Sequence, residues 1–373
     1  MNDLRSALYT KTGGFIKGVC HPNTAYDTIT DLGFGWIRRD VPYPFDDDGS
    51  VNDYYLRFLE ETRAYAANGL RSILISPYPS TFISHGIDPR TPEGLLRVRE
   101  VCAYIARDYR DLNVCWQATN EMFVIGFRMP LTAPESVEFL VASLLGLREG
   151  DPDAALGHNS VTLSDGWDEF CRDIDSRTDC DYFGLDLYIG SWENGTLDTY
   201  VRRIDELYEL CKKPIVLMEF GFASLGGNVS EDRHEEREFF ESHGFAGIED
   251  ATKRTADFVK LLPPPLRRTA ENCADVDLMP ALYGMLPHLT KLWYTKKLFP
   301  HTEEGQAEFY GELLPLLLRN PHLAGTVLYC WQDSPTCFTC GASDCPCETA
   351  WGLTRCDGTK KPACGVIKEI FTK

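Results

Sequence analysis

The sequence predicts an α/β fold, a single (β/α)8 barrel, and three observations support this prediction. Eight short apolar runs recur along the 373 residues, and amphipathic helical patterns lie between them. The runs are apolar almost throughout, which is typical of strands that are covered on both faces. Eight strand–helix units favour a closed parallel barrel over an open doubly wound sheet. An open dinucleotide-binding sheet is also disfavoured because no G-x-G-x-x-G motif follows the first run.

The predicted strands differ in the strength of their signal. ILISPY, YFGLDLY, PIVLMEF and TVLYCW are continuous apolar runs, whereas the fifth run, SVTL, is weak. The eight strands are expected at Phe15–Cys20, Trp36–Val41, Ser72–Pro77, Asn113–Thr119, Ser160–Leu163, Tyr182–Tyr188, Pro214–Phe220 and Gly325–Trp331.

The segments between the strands carry an apolar stripe at a spacing of three to four residues, which predicts helices. Pro92–Tyr109 has this stripe, with Thr91 in the N-cap position and Glu93 in the first turn. Leu197–Cys211 and Glu303–Leu318 repeat the pattern.

The charge balance excludes several classes of partner. Lys and Arg number 37 against 56 Asp and Glu, which gives a formal net charge of −19. Nucleic acids and anionic membrane surfaces are bound through basic patches, so neither is expected as a partner. No apolar run reaches the ~18 residues of a membrane-spanning helix, and residues 1–17 lack the apolar core of a signal peptide. We therefore expect a cytoplasmic, reducing environment, with most of the 14 cysteines as free thiols.

One connection is far longer than the others. Phe222–Pro300, called the insertion below, lies between the seventh predicted strand and the helix that begins near Glu303. Loops of this length in a compact domain are usually functional lids or small subdomains. We predict one domain, residues 1–373, with the insertion as a lid on the side where the strands end. Helices packed outside the barrel, or a contact within a homo-oligomer, are the alternatives.

Two glutamates stand where barrel enzymes place their chemistry, at the C-terminal ends of strands. Asn120–Glu121 follows the fourth strand, and Glu219 lies inside the apolar seventh strand. A buried glutamate is costly unless it is paired or faces a polar cavity. A retaining glycosidase needs two such carboxyl groups, about 5–5.5 Å apart. Taken singly, a chance Asn–Glu dipeptide and a buried salt bridge are the alternatives.

These motifs resemble those of the retaining β-glycosidases of glycoside hydrolase clan A, which are (β/α)8 barrels. WQATNEMF is similar to the W-x-x-x-N-E stretch on strand four of that clan, and IVLMEFG to its nucleophile stretch on strand seven. The resemblance covers nearly the whole chain. It implies that Glu121 is the acid/base, Glu219 is the nucleophile and Asn120 binds the sugar 2-hydroxyl.

Further motifs match the clan more loosely. WIRRD resembles its strand-two arginine, which implies that Arg38 supports the nucleophile while Arg39 points to the opposite face. DLYIGSW implies that the Tyr188 hydroxyl contacts the nucleophile, although Asp186 stands where Asn or His is more usual. LYCWQD implies that Trp331 is the platform under the sugar, with core packing as the alternative.

Two histidines lie near predicted strand ends. His21 follows the first strand and His158 precedes the fifth. His21 is the stronger candidate for binding sugar hydroxyls, although a lone histidine is more often structural.

A cysteine cluster follows the eighth strand. Four thiols within eleven residues suit a closed, structural Zn²⁺ site, with Cys356 or Cys330 as a replacement ligand. Free thiols and two small disulfides are the alternatives. We expect no cofactor for catalysis. The predicted zinc ligands are Cys337, Cys340, Cys345 and Cys347.

Together these features predict a retaining β-glycoside hydrolase that acts on a carbohydrate, in the exo mode on small β-glycosides or oligosaccharides. The aromatic-rich part of the insertion, Tyr283–Phe299, which includes Trp293 and Tyr294, is expected to enclose the sugar or face the aglycone. An endo-acting glucanase or mannanase, a transglycosidase and a non-catalytic sugar-binding barrel are the alternatives. The acidic composition disfavours a uronic acid substrate, unless Arg38, Arg39 or a lysine of the insertion reaches it.

Overall fold

The computed structural model describes residues 5–160, 167–271 and 278–373, except for the side chains of residues 125, 167–169, 269 and 278–283. Eight parallel strands close into a barrel, in which β1 pairs with both β2 and β8 and every other strand pairs with its neighbours in the chain. The predicted (β/α)8 fold is confirmed. The strands are β1 Ile16–Cys20, β2 Trp36–Asp40, β3 Arg71–Ile75, β4 Cys115–Gln117, β5 Ala155–Ser160, β6 Tyr182–Leu187, β7 Ile215–Phe220 and β8 Leu323–Leu328.

The fifth strand begins earlier than predicted. It was expected at Ser160–Leu163, whereas the described strand covers Ala155–Ser160, and residues 161–163 of the prediction lie outside the described residues. The strand is not recognisable in the run ALGHNS because His158 and Asn159 interrupt its apolar pattern. Both side chains are nevertheless buried, and the His158 ring packs against Phe183 with ring centroids 4.7 Å apart.

Helices surround the barrel, and their caps match the sequence signals. Thr91 Oγ1 accepts a hydrogen bond from the Gly94 backbone at 3.0 Å, which starts the long helix over Pro92–Tyr109. That helix packs closely on the next long helix at Gly146, where a Cβ atom would lie 2.2 Å from the Arg99 carbonyl oxygen. The barrel helices are Arg5–Thr12, Tyr26–Asp31, Asp53–Ala67, Pro79–Ser84, Pro92–Tyr109, Arg110–Leu112, Ile125–Arg128, Ala133–Gly150, Trp167–Arg177, Leu197–Cys211, Glu303–Arg319, Pro346–Thr349 and Pro362–Phe371.

The insertion has a hydrophobic cluster of its own, in which Phe240, Phe245, Phe258 and Leu286 are buried together. Two short strands, Gly227–Asn228 and Leu292–Trp293, pair in parallel at its base. No helix in the described ranges is long and apolar enough to cross a bilayer. The insertion helices are His234–Ser242, Ile248–Lys253, Thr255–Phe258, Val259–Leu261, Pro264–Glu271 and Leu278–Thr290.

Candidate active site

Three carboxyl groups meet at the mouth, the end of the barrel where the strands have their C-terminal residues. One carboxyl oxygen from each of Glu121, Asp186 and Glu219 lies within 4.8 Å of the other two. These residues are 8%, 0% and 7% exposed. Two carboxyl groups at about this separation can flank a single anomeric carbon, as in retaining glycosidases.

A β-bulge in β7 directs Glu219 into the mouth. Both neighbouring strands lose register with β7 just after Leu217, so Met218 is an extra residue. Under strict alternation Glu219 would face the helices, as Leu217 does. The bulge instead brings Glu219 into contact with Arg38 inside the barrel, while Phe220 packs in the outer core. Bulges beside active sites commonly redirect a side chain in this way.

The backbone after β4 is held in an unusual conformation that places Glu121. Thr119 and Glu121 have φ angles of +52° and +47°. A non-glycine residue in this left-handed region costs about 1–3 kcal/mol. Two buried hydrogen bonds offset part of this cost: the Thr119 N–H donates to Ser76 Oγ and the Glu121 N–H donates to Asn159 Oδ1, each at 3.0 Å.

Two donors hold the Glu219 carboxylate. Arg38 Nη1 lies 2.5 Å from Glu219 Oε1, and the Tyr188 hydroxyl donates to Oε2. Arg38 also donates from Nη2 to Asn120 Oδ1 at 2.6 Å and from Nε to Gln117 Oε1 at 2.9 Å. The buried guanidinium therefore pairs the charge of Glu219 and fixes the orientation of its carboxylate.

The surroundings of Glu121 favour its protonated form near neutral pH. Burial, followed by the charge of Glu219, raises the pKa of Glu121 to about 8, while a contact with Asp186 and the charge of Arg38 act in the opposite direction. Burial and the two glutamates also raise the pKa of Asp186 well above its ordinary range. Asp186 in turn accepts a hydrogen bond from the Asn159 amide.

Three donors converge on one oxygen of Asn120. Arg38 Nη2 and Asn159 Nδ2 each lie 2.6 Å from Asn120 Oδ1, and Gln117 Nε2 lies 3.2 Å from it. This network fixes which end of the amide is the acceptor. The Asn120 amide nitrogen is therefore the group available to meet a sugar hydroxyl.

Trp331, predicted as the platform under the sugar, is buried away from the mouth in this structure, which agrees with the alternative of core packing. It is 1% exposed, packs in the outer core and donates from its indole to Asn23 Oδ1 at 2.9 Å. The physical reason is that β8 ends at Leu328, so strand alternation does not extend to residue 331.

Tyr329, the residue directly after β8, places an aromatic ring at the mouth. Its ring makes edge contacts with His21 and Tyr188, with centroids 5.5 and 6.0 Å apart. Its hydroxyl lies 3.5 Å from Glu348 Oε2. His21 is exposed at the end of β1, with its N–H bonded to the Arg38 carbonyl oxygen at 3.1 Å.

The aromatic side chains expected to enclose the sugar lie elsewhere. Trp293 is 0% exposed and stacks edge-on against Trp192 and Trp351, with centroids 5.0 and 5.7 Å apart. Tyr294 packs on the cluster inside the insertion, below the Arg233 guanidinium. The structure therefore places the Trp293 ring in the interior and not on a surface that a sugar could contact.

The cysteine cluster gathers a histidine from the insertion. Ligand atoms of His288, Cys337, Cys340 and Cys345 all lie within 4.8 Å of one another. Cys347, predicted as the fourth ligand, is outside this group. It lies in the short helix Pro346–Thr349, buried beside the cluster.

Sequence reasoning missed Gln117, Asn159, Tyr329 and Glu348 as residues of the mouth. Gln117 and Asn159 carry the same signal that identified Glu219, which is a polar side chain within a buried strand. Tyr329 and Glu348 follow β8, and their positions depend on how that loop folds.

No known family profile matches this sequence, and no curated protein resembles it significantly. Many solved structures share the fold. The GH53 catalytic domain of Ignisphaera aggregans is 15% identical with a TM-score of 0.57, over 98% of this chain and 94% of that one. A family 39 glycoside hydrolase from Bacteroides cellulosilyticus WH2 is 13% identical with a TM-score of 0.56, over 95% and 63%.

A structure reported with two fungal β-1,4-galactanases is 12% identical with a TM-score of 0.58, over 98% of this chain and 97% of that one. At such identities the likeness shows a common fold. It confirms the barrel that the resemblance to clan A implied.

Proposed function

We propose that this protein is a retaining β-glycoside hydrolase. The observation that supports this most strongly is the pairing of a protonated Glu121 with a Glu219 carboxylate held by Arg38 and Tyr188, at a separation within 4.8 Å. The named activities of the structural neighbours agree with it.

The chemistry follows from this division of roles. Glu219 attacks the anomeric carbon while Glu121 gives its proton to the leaving oxygen, which yields a glycosyl ester on Glu219. Glu121 then removes a proton from water, and this water attacks the anomeric carbon from the side opposite Glu219, which leaves as a free carboxylate. Two inversions release the sugar with its original anomeric configuration.

We propose a neutral rather than a uronic sugar at the cleavage point. The Arg38 guanidinium already contacts four side chains, those of Cys20, Gln117, Asn120 and Glu219. Arg39 lies on the outer side of β2, where it pairs with Glu61 and stacks over Phe58. Neither arginine is placed to receive a sugar carboxylate.

For the mode of action we propose exo cleavage of small β-glycosides. The insertion closes against the loop after β6, where Thr295 Oγ1 donates to the Gly190 carbonyl oxygen and the Lys296 N–H donates to Asn194 Oδ1, each at 2.8 Å. These contacts support our proposal that the insertion covers one side of the mouth, which would limit the length of the bound chain there. In support of the second candidate, endo cleavage, Tyr78 and the 37% exposed Phe127 stack with centroids 5.9 Å apart. An exposed ring such as that of Phe127 suits a further sugar unit. Product analysis on an oligosaccharide ladder separates the two, because exo cleavage releases one terminal unit at a time.

The roles of the two glutamates are tested by azide rescue, after a panel of aryl β-glycosides has identified the best substrate. With Glu121→Ala, azide should attack the glycosyl ester and give the β-glycosyl azide. With Glu219→Ala, azide should replace the nucleophile and give the α-glycosyl azide. The same anomer from both variants would contradict the assignment.

A further inference from the structure

A histidine and three cysteines from distant parts of the chain form a compact cluster beside the mouth. His288 belongs to the insertion helix Leu278–Thr290, and Cys337, Cys340 and Cys345 belong to the loop that follows β8. His288 Nδ1 lies 3.6 Å from Cys337 Sγ and 3.5 Å from Cys345 Sγ. The three thiols and the imidazole are largely buried.

These spacings match the geometry of a tetrahedral zinc centre. Zinc binds sulfur at about 2.3 Å and imidazole nitrogen at about 2.0–2.1 Å, so tetrahedral angles separate the two ligand atoms by about 3.6 Å. The two measured nitrogen–sulfur distances agree with that value. A disulfide would instead consume two thiols and leave the third and the histidine without a role, and every cysteine in the described residues is a free thiol.

The surroundings of the cluster also suit thiolate ligands. The Cys340 N–H donates to Cys337 Sγ at 3.4 Å, in a turn that Gly341 completes with a φ of +74°. The Lys291 ammonium lies 3.5 Å from Cys340 Sγ. Three thiolates and a neutral imidazole give a Zn²⁺ centre one net negative charge, and this lysine supplies a nearby positive charge. Such outer contacts orient metal ligands and tune their basicity.

We infer that His288, Cys337, Cys340 and Cys345 bind one Zn²⁺, and that this ion fastens the insertion to the loop after β8. In this ligand set His288 takes the place of Cys347, which the sequence predicted as the fourth ligand. Four protein ligands leave no open coordination position, so the site is structural.

A series of packed aromatic rings connects the proposed zinc site with the mouth. Trp192 packs beside the cysteines and edge-on against Trp293. Trp293 meets Trp351, which contacts Tyr188 at a centroid distance of 5.0 Å. Tyr188 donates to Glu219. The zinc site therefore holds the wall behind the carboxylates without touching the substrate.

The experiment begins with untagged protein purified without chelators. Elemental analysis should find one zinc per chain, and X-ray absorption at the zinc edge should find three sulfur ligands and one nitrogen. Protein in which Cys337, Cys340 and Cys345 are free thiols and that holds no zinc, even after incubation with Zn²⁺, would overturn the proposal. Four sulfur ligands would restore the cysteine-only set and overturn the role of His288.

Variants identify the ligands. His288→Gln and Cys340→Ser should lose zinc, whereas Cys347→Ser and Cys356→Ser should keep it. Loss from Cys347→Ser with retention by His288→Gln would contradict the ligand set. Because a ligand variant can fail to fold, the wild-type protein is also treated with a mercurial reagent and a zinc-binding dye. Released zinc should be accompanied by faster proteolysis within the insertion, and unchanged proteolysis would refute the fastening role.

Discussion

At the scale of the residue, the ionisation of Glu121 decides the pH range of the enzyme. Glu121 must be protonated to act as the acid, and its pKa of about 8 results mainly from burial. We predict that kcat/KM falls as the pH rises through about 8. A pH–rate profile on an aryl glycoside with a poor leaving group measures this limb. A profile that is flat up to pH 10, with such a substrate, would contradict the assignment of Glu121 as the acid.

Arg38 and Arg39 provide a matched pair on opposite faces of β2. Arg38→Lys removes the planar group that joins Glu219, Asn120 and Gln117, so buried acceptors lose their donors. We expect kcat/KM to fall by about 100-fold or more, which corresponds to about 3 kcal/mol. Arg39→Lys keeps the charge next to the exposed Glu61 and should stay close to wild type. Equal losses in the two variants would show that the effect belongs to the strand rather than to the site.

Asp186 is the residue by which this site departs from the resemblance. Asp186→Asn preserves an acceptor for the Asn159 amide, whereas Asp186→Ala leaves that buried amide without one. A buried donor without a partner costs about 1–3 kcal/mol. We therefore predict a larger loss of unfolding free energy for the alanine variant than for the asparagine variant, measured by urea unfolding. A greater loss for asparagine would mean that the carboxyl group itself is needed.

At the scale of the element, close helix packing is set by glycine. Gly146→Ala would place a Cβ atom 2.2 Å from the Arg99 carbonyl oxygen, so the two long helices must move apart. Overpacking of this kind typically costs about 1–3 kcal/mol. The control is Gly365→Ala in the helix Pro362–Phe371, where a Cβ atom meets nothing within 4 Å. It should stabilise the protein by about 0.5–1 kcal/mol. Thermal unfolding of both variants tests the contrast.

The strands show what periodicity can and cannot predict. Seven strands were predicted close to their observed places because burial on both faces leaves a continuous apolar run. The predicted position of β5 was shifted along the chain because His158 and Asn159 are buried by tertiary contacts, which a local sequence pattern does not contain. The bulge at Met218 is also invisible in the sequence, although it determines which way Glu219 points. Trp331 was misplaced for a related reason, since alternation was extended beyond the end of β8.

At the scale of the whole molecule, contacts between distant segments determine the site. Glu121 and Glu219 could be predicted because each lies at a strand end, and the barrel brings strand ends together. His288 could not be predicted as a partner of Cys337, because no local pattern connects an insertion helix with a loop after β8. Tyr329 and Glu348 depend on the path of that same loop. The sequence therefore predicts the residues carried by the barrel better than those carried by its long connections.

The stability of the whole chain should depend on pH, and buried carboxyl groups should dominate this dependence. Burial raises the pKa of Glu193 to about 7, and that of Glu121 to about 8. In the unfolded chain both groups ionise near their ordinary pKa of about 4.3. At pH values between the unfolded and the folded pKa, the folded protein binds more protons than the unfolded chain. The free energy of unfolding should therefore fall as the pH rises from about 4.5 to 8.

Repulsion within a chain of net charge −19 acts in the same direction, so the local effect needs a control of equal charge. Glu193→Gln and Glu60→Gln each remove one carboxyl group, but Glu60 is exposed on the helix Asp53–Ala67. Glu193→Gln should flatten the fall in unfolding free energy above pH 5, because the cost of a buried group that resists ionisation is gone. Glu60→Gln should leave the slope almost unchanged. Urea unfolding at a series of pH values measures both slopes, and equal slopes in the two variants would assign the effect to net charge alone.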